Sequence, residues 1–167
     1  AAMLEEATEL AHAIGHRPSF ILAVLFHSAV FDRTRADAAM GGVALMRRLA
    51  EALPAATLDR AAALILAWDR QVVPQTPDAS LRGDAALLLD LDAAPLGAPP
   101  AQYAAYEAAL RGEAAHLDED RYAAGRAAAL RLLAWRPRIY RTDRFHLALE
   151  RRARRNIAGW LERLDPS

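Results

Sequence analysis

The chain contains no cysteine, which excludes disulfide bonds, thiolate metal sites and thiol nucleophiles. It also contains no lysine, because all 21 basic residues are arginine, and a lysine Schiff base is therefore excluded. No apolar run approaches the roughly 20 residues that span a bilayer, and we expect no signal peptide. We therefore expect no membrane partner. Since the lack of cysteine is compatible with a reducing compartment, we expect a cytoplasmic location.

Opposite charges are balanced, with 21 acidic and 21 basic residues and a formal net charge of zero. No bulk electrostatic attraction to nucleic acid or to an anionic membrane is therefore expected. The length of 167 residues is typical of one domain with a substantial core. We predict a single domain over residues 1–167.

Apolar residues three and four apart run through nearly the whole chain, and no period-two strand pattern accompanies them. The sequence predicts a single all-α bundle of seven to eight helices. Gly15 is typical of a position just after a helix. Thr57 and Asp118 are typical N-cap residues, and Pro100 is typical of a first helical turn. The predicted helices are 2–14, 18–30, 36–53, 57–71, 81–91, 99–115, 118–136 and 142–164.

Two stretches carry the residues best suited to chemistry, LFHSAVFD (25–32) and LLLDLDAAPLG (87–97). His27 belongs to the most apolar predicted helix, where a histidine is either a hydrogen-bonded core residue or a metal ligand. An adjacent His-Asp pair and a carboxylate some 65 residues later would bind one or two divalent ions, but Ser28 holds the place of that aspartate. Asp90 and Asp92 either supply the distant carboxylate or only cap a helix–loop junction.

These stretches resemble the HD superfamily of metal-dependent phosphohydrolases, and within it a small bacterial group of predicted phosphohydrolases. The resemblance implies an all-α HD-like fold and a divalent metal (Mn, Co, Mg, Ni or Zn) whose bound water attacks phosphorus. It also implies a nucleotide or another phosphorylated small molecule as substrate. Besides LFHSAVFD, the matching residues are LDLDAAPLGAPPAQYAAYEAALRGEAAH from Leu89, Gly125-Arg126, IYRT from Ile139, Glu150, Ala153-Arg154 and Asn156.

The resemblance assigns individual roles. His27 takes the histidine of the pair and Asp92 the final aspartate, while Asp32 matches an aspartate just after the pair. Arg126 and Arg154 match positions of which one faces the pocket and the other is structural. The first histidine ligand of the family would lie just upstream of Ala1.

Three features depart from the family pattern around the site. Ser28 replaces the aspartate of the pair, AWDRQ (67–71) stands where the group has a histidine-bearing stretch, and AAMGGVA (38–44) replaces an acidic segment. A neutral hydroxyl cannot offset metal charge as a carboxylate does. Three changes in one pocket indicate that selection for metal chemistry has been lost.

Three hypotheses follow. The first is an HD-like protein with a degraded metal site and weak or lost hydrolysis, in which a divalent metal is expected only if the site is functional. The second is an active metal-dependent phosphohydrolase that accepts Ser28, in which Ser28→Asp would raise metal affinity and rate. The third is a non-catalytic binding or scaffold module, for which a phosphate ligand or a homodimer partner would be expected.

Other residues have simpler interpretations. The basic cluster RRARR, Arg151 to Arg155, is interpreted as a solvated, salt-bridged helix face, since no aromatic platform interleaves with it to favour nucleic acid. His12 and His16 are interpreted as surface histidines near a helix C-terminus. Trp68, Trp135 and Trp160 are interpreted as core or interface aromatics.

Overall fold

The computed structural model describes residues 2–29 and 38–164. Within these residues the regular structure is helical and no β-strand occurs, which confirms the predicted all-α class. None of the helices in this part of the chain is long and apolar enough to cross a membrane. Two 3-10 helices, Ala11–Ala13 and Ala94–Gly97, follow α1 and α5. The α-helices are α1 (Ala2–Glu9), α2 (Arg17–Phe26), α3 (Ala38–Leu49), α4 (Ala55–Arg70), α5 (Ala79–Ala93), α6 (Pro100–Glu113), α7 (Glu119–Trp135) and α8 (Asp143–Leu164).

The chain divides into two compact units, Ala1–Leu91 and Asp92–Ser167. In the first unit α4 packs against α2 and α3, and α1 packs against α2. Its core forms where apolar residues three and four apart fall on one helix face. The fully buried side chains there include Phe20, Ala23, Met46, Ala61, Leu64, Ile65 and Leu88.

In the second unit α7 packs against α8, and the 3-10 helix Ala94–Gly97 packs against both α6 and α8. Leu130 of α7 and Ile157 of α8 are buried in this unit. Tyr140, in the loop between α7 and α8, is fully buried, and its hydroxyl donates to the carbonyl of Ala93 at 3.1 Å. The prediction of one domain over 1–167 stays a prediction.

Several helix ends agree with the predicted caps. Asp118 caps α7, with its carboxylate accepting the N–H of Arg121 at 2.8 Å. Pro100 is the first residue of α6, where its missing N–H costs no helical hydrogen bond. These helix-end signals act within one helical turn, so they can be predicted from the sequence alone.

Other helix ends differ from the prediction. Thr57 is not an N-cap, because α4 begins two residues earlier with Pro54 as its cap. The first helix ends at Glu9 and is followed by a 3-10 helix, and α3 ends at Leu49 rather than at residue 53. The predicted helix 18–30 ends at Phe26, and its last residue, Val30, lies outside the described residues.

Gly97 is a tight packing position in the second unit. A Cβ atom built on it would lie 2.6 Å from the Leu149 Cβ and 2.8 Å from the Tyr140 hydroxyl. We expect Gly97→Ala to lower the free energy of unfolding by about 1–3 kcal/mol, because the buried backbone around it must shift. Urea denaturation of the variant measures this.

Gly125 is the matched control, because a Cβ atom there would meet nothing within 4 Å. It lies on the exposed face of α7, so Gly125→Ala should stabilise the helix by about 0.5–1 kcal/mol. Equal effects at the two glycines would contradict the assignment of Gly97 as a packing constraint.

Candidate functional site

His27 lies at the C-terminal end of α2, where its backbone N–H donates to the carbonyl of Ala23 at 2.9 Å. Its ring Nδ1 lies 2.9 Å from the carbonyl oxygen of Val24, which can only accept a hydrogen bond. In the neutral ring, Nδ1 therefore carries the proton, and Nε2 has the lone pair that a metal ligand needs. The half-buried ring packs edge-on against Trp68, with 4.6 Å between ring centroids. Both interpretations of His27, as a core residue and as a ligand, are compatible with this geometry.

Ser28 is exposed in the turn that follows α2. Its hydroxyl is a neutral oxygen where the HD pattern has a carboxylate, so this position supplies no anionic ligand. Asp32 lies outside the described residues. The described part of the LFHSAVFD stretch thus contains one side chain suited to a divalent metal.

Asp90 and Asp92 lie in the last turn of α5. Asp90 is completely buried and Asp92 is half-buried. Residues two apart on a helix do not share a face, so the two carboxylates point in different directions. His27 and Asp90 belong to the first unit and Asp92 to the second, and the predicted convergence of these residues stays a prediction.

The fit of this donor set to a divalent metal is incomplete. Across residues 2–29 and 38–164, no group of three His, Asp or Glu side chains could hold a metal ion. His27 fits as a nitrogen ligand, but Ser28 does not replace a carboxylate.

Arg126 forms a buried ion pair within the second unit. Its Nε donates to Glu107 Oε2 at 2.8 Å and its Nη2 to Glu107 Oε1 at 2.6 Å, a bidentate arrangement. Burial alone would lower the pKa of Arg126, but the Glu107 carboxylate outweighs burial and the pKa is raised. Glu107 therefore already neutralises the charge that a pocket arginine would offer to a phosphate.

Arg154 holds the loop between α7 and α8. Its guanidinium donates to the carbonyls of Ala134, Arg136 and Pro137 at 2.9–3.1 Å, and its Nε to Glu150 at 2.8 Å. These bonds satisfy carbonyls at the C-terminal end of α7. Arg154 thus has a structural role, which was one of the two roles expected for the matched arginines.

Glu150 fixes the same loop from its other side. Its carboxylate accepts the N–H groups of Ile139 and Tyr140 at 3.0–3.3 Å. Burial alone would raise the pKa of Glu150, but these N–H donors, with Arg154 and His146, lower it below the ordinary value. Glu150 is therefore held as a carboxylate and is not poised as a proton donor near neutral pH.

Asp84 is a buried polar residue that the sequence did not indicate. Its Oδ1 accepts the N–H of Gly15 at 2.7 Å, and its Oδ2 accepts the N–H of His16 at 3.1 Å and Nη2 of Arg60 at 3.0 Å. The only local signal is an aspartate inside the apolar pattern of α5. Its partners lie 24 to 69 residues away in sequence, so no short motif reveals them.

Two simpler interpretations need correction. His16 does not lie near a helix C-terminus, since it is the N-cap of α2 and its Nδ1 lies 2.7 Å from the Ser19 hydroxyl. Of the two alternatives for Trp135, the core is wrong because 92% of the residue is exposed, and the interface stays a prediction; Trp68 and Trp160 are half-buried.

The basic cluster divides into two groups. Arg152 and Arg154 turn inward, with Arg152 donating to the carbonyl of Gly97. Arg151 and Arg155 are exposed, and neither has a hydrogen-bond or ion-pair partner among the described residues. Within the described part of the chain, the predicted solvated face is therefore correct for Arg151 and Arg155, and the predicted salt bridge for Arg154, which pairs with Glu150.

No family model, no curated protein and no solved structure matches the chain. The resemblance to the HD superfamily therefore rests on the residues quoted for it.

Proposed function

We propose that the chain is an HD-superfamily phosphohydrolase-like protein with a degraded metal site, in which hydrolysis is weak or lost. The observation that carries the proposal is the pair at the end of α2. His27 is held as the tautomer of a metal ligand by the carbonyl of Val24, while the neighbouring Ser28 offers a neutral, exposed hydroxyl. One half of an HD pair is present and the other half is replaced.

The replacement matters because of charge. A carboxylate offsets the charge of a divalent ion and can bridge two ions, whereas a serine hydroxyl does neither. Loss of a supporting partner outside the ligand set already costs about 10–100-fold in metal affinity. Loss of an anionic ligand should cost at least as much.

The residues that carry the resemblance in the second unit support a shared fold rather than a shared chemistry. Glu150 and Arg154 fix the loop between α7 and α8, and Asn156 donates to the carbonyls of Leu96 and Ala98 at 2.8 and 2.9 Å. Such residues would be retained to keep the fold after metal chemistry is lost. The cytoplasmic location, the homodimer and a phosphorylated ligand remain part of the proposal on sequence grounds alone.

The test is the metal content of the purified chain after exposure to Mn²⁺, Co²⁺, Ni²⁺ or Zn²⁺ and removal of unbound ions. We expect far less than one ion per wild-type chain. Ser28→Asp should bind metal at least about tenfold more tightly, because it restores the missing anionic ligand. Elemental analysis and calorimetric titration measure the two quantities.

Ala29→Asp is the matched control. Ala29 is exposed, and the substitution adds the same negative charge one residue further along the turn. It should leave metal affinity unchanged, and His27→Ala should abolish the gain of Ser28→Asp. Stoichiometric metal in the wild-type chain that disappears in His27→Ala would overturn the proposal. It would support instead an active phosphohydrolase, the alternative that the tautomer of His27 favours.

A further inference from the structure

A groove of about 200 Å³ lies within the second unit, between the start of α6 and the C-terminal half of α8. It shares no residue with the proposed metal site. Its walls combine apolar rings with cationic side chains. The lining residues that matter are Pro100, Tyr103, Arg155, Asn156, Trp160 and Arg163.

The groove is cationic. Arg155 is exposed and has no hydrogen-bond or ion-pair partner among the described residues. The guanidinium of Arg163 lies over the Trp160 ring, 5.1 Å from its centroid. Among residues 2–29 and 38–164, no Asp or Glu lines the groove, whereas Arg155 and Arg163 bring two positive charges to its walls.

The apolar part of the groove is held in place by its surroundings. The rings of Tyr103 and Trp160 meet edge-to-face with 5.7 Å between centroids, and Tyr103 is only 3% exposed. Asn156 is fixed by its bonds to the carbonyls of Leu96 and Ala98. A ligand would therefore meet a largely pre-formed surface.

Gly159 keeps the groove open. Gly159 lines the groove, and a Cβ atom built on it would meet no atom within 4 Å. A larger side chain at this position would therefore begin in open space and extend along the groove. The position allows the groove to be filled from within its own wall.

We propose that this groove binds a small organic anion, a phosphate or carboxylate attached to a planar ring. Arginine forks match the oxygens of both anions, and the Trp160 and Pro100 side chains provide apolar contact for the ring, with Trp160 supported by Tyr103. The volume is below the 300–1,000 Å³ typical of drug-sized sites, so the ligand is about the size of one substituted ring.

The test is a titration of the full chain with phenyl phosphate and with benzoate, followed through the indole N–H signals of its three tryptophans by nitrogen-15 NMR. The Trp160 signal should shift and saturate with a Kd near 1 mM or tighter. The signals of Trp68 and Trp135 should not follow it. Whichever probe binds more tightly identifies the anion.

Two variants test the groove directly. Arg155→Ala should weaken binding about tenfold through loss of a charge-assisted hydrogen bond. Gly159→Leu should abolish binding by filling the groove. The matched controls are Arg151→Ala, an exposed and unpaired arginine one turn away, and Gly125→Leu, an open glycine on α7. Both controls should change the Kd less than twofold.

Three results would overturn the proposal. The first is a Trp160 signal that does not saturate with either probe. The second is unchanged binding in folded Gly159→Leu or Arg155→Ala. The third is binding of inorganic phosphate as tight as that of phenyl phosphate, which would remove the role of the rings.

Discussion

Asp84→Ala should lower the free energy of unfolding of the first unit by about 2–4 kcal/mol. The carboxylate is 1% exposed and accepts from two backbone N–H groups and from Arg60. Its removal leaves the two backbone N–H groups without their acceptor, and an unsatisfied donor that is shielded from water costs about 1–3 kcal/mol. Arg60 loses one of its two carboxylate partners but keeps Asp78 at 2.7 Å. Urea denaturation followed by circular dichroism measures the loss.

Two further variants make this result specific. Asp84→Asn keeps one acceptor oxygen but turns an NH₂ group toward donors, so an intermediate loss is expected. Asp59→Ala removes a carboxylate that pairs with Arg47 at the surface, where 64% of the Asp59 side chain is exposed, and should cost about 0.5 kcal/mol or less. Similar losses for Asp84→Ala and Asp59→Ala would show that Asp84 does not anchor the start of α2.

The helices could be predicted from the sequence because their signals are local. Apolar spacing, the aspartate at residue 118 and the proline at residue 100 act within one helical turn, and the structure has the corresponding helices. Thr57 shows the limit of such signals. It is a good N-cap residue type, but it lies buried inside α4, where its carbonyl accepts from the Ser19 hydroxyl.

The buried polar anchors could not be predicted in the same way. Asp84 and Gly15 are 69 residues apart, and Asn156 and Leu96 are 60 apart, so each pair depends on the tertiary fold. The sequence shows only that a polar residue interrupts an apolar pattern. It does not show which distant group satisfies that residue.

In the candidate metal site, too, local features could be predicted from the sequence and contacts between distant residues could not. The hydrogen bond from His27 to Val24 spans three residues within one helix, so the tautomer of His27 follows from local geometry. A complete ligand set would require side chains from distant segments, and no periodicity specifies how these meet. The resemblance supplies that information only as an expectation.

The resemblance itself gains a physical interpretation from the second unit. Several of its quoted residues form internal polar contacts: Glu107 with Arg126, Glu150 with the N–H of Ile139, and Asn156 with two carbonyls. A buried polar group without its partner is costly, so such residues resist substitution independently of catalysis. A chain can therefore retain an extensive resemblance while its metal ligands change.

Arg126→Leu should lower the free energy of unfolding of the second unit by about 3–5 kcal/mol, because it leaves the Glu107 carboxylate, which is 0% exposed, without its cation. Glu107→Leu should cost a similar amount for the converse reason. The double variant should lose much less than the sum of the two, since the buried charges are then removed together. Chemical denaturation of the four proteins gives the coupling energy directly.

Arg121→Ala, which breaks an exposed pair with Asp118 on the same helix, is the control and should cost about 0.5 kcal/mol or less. An arginine that serves only to bind a ligand would show no coupling to Glu107. If the losses of unfolding free energy in the two single variants add up in the double variant, Arg126 is again a candidate ligand-binding residue.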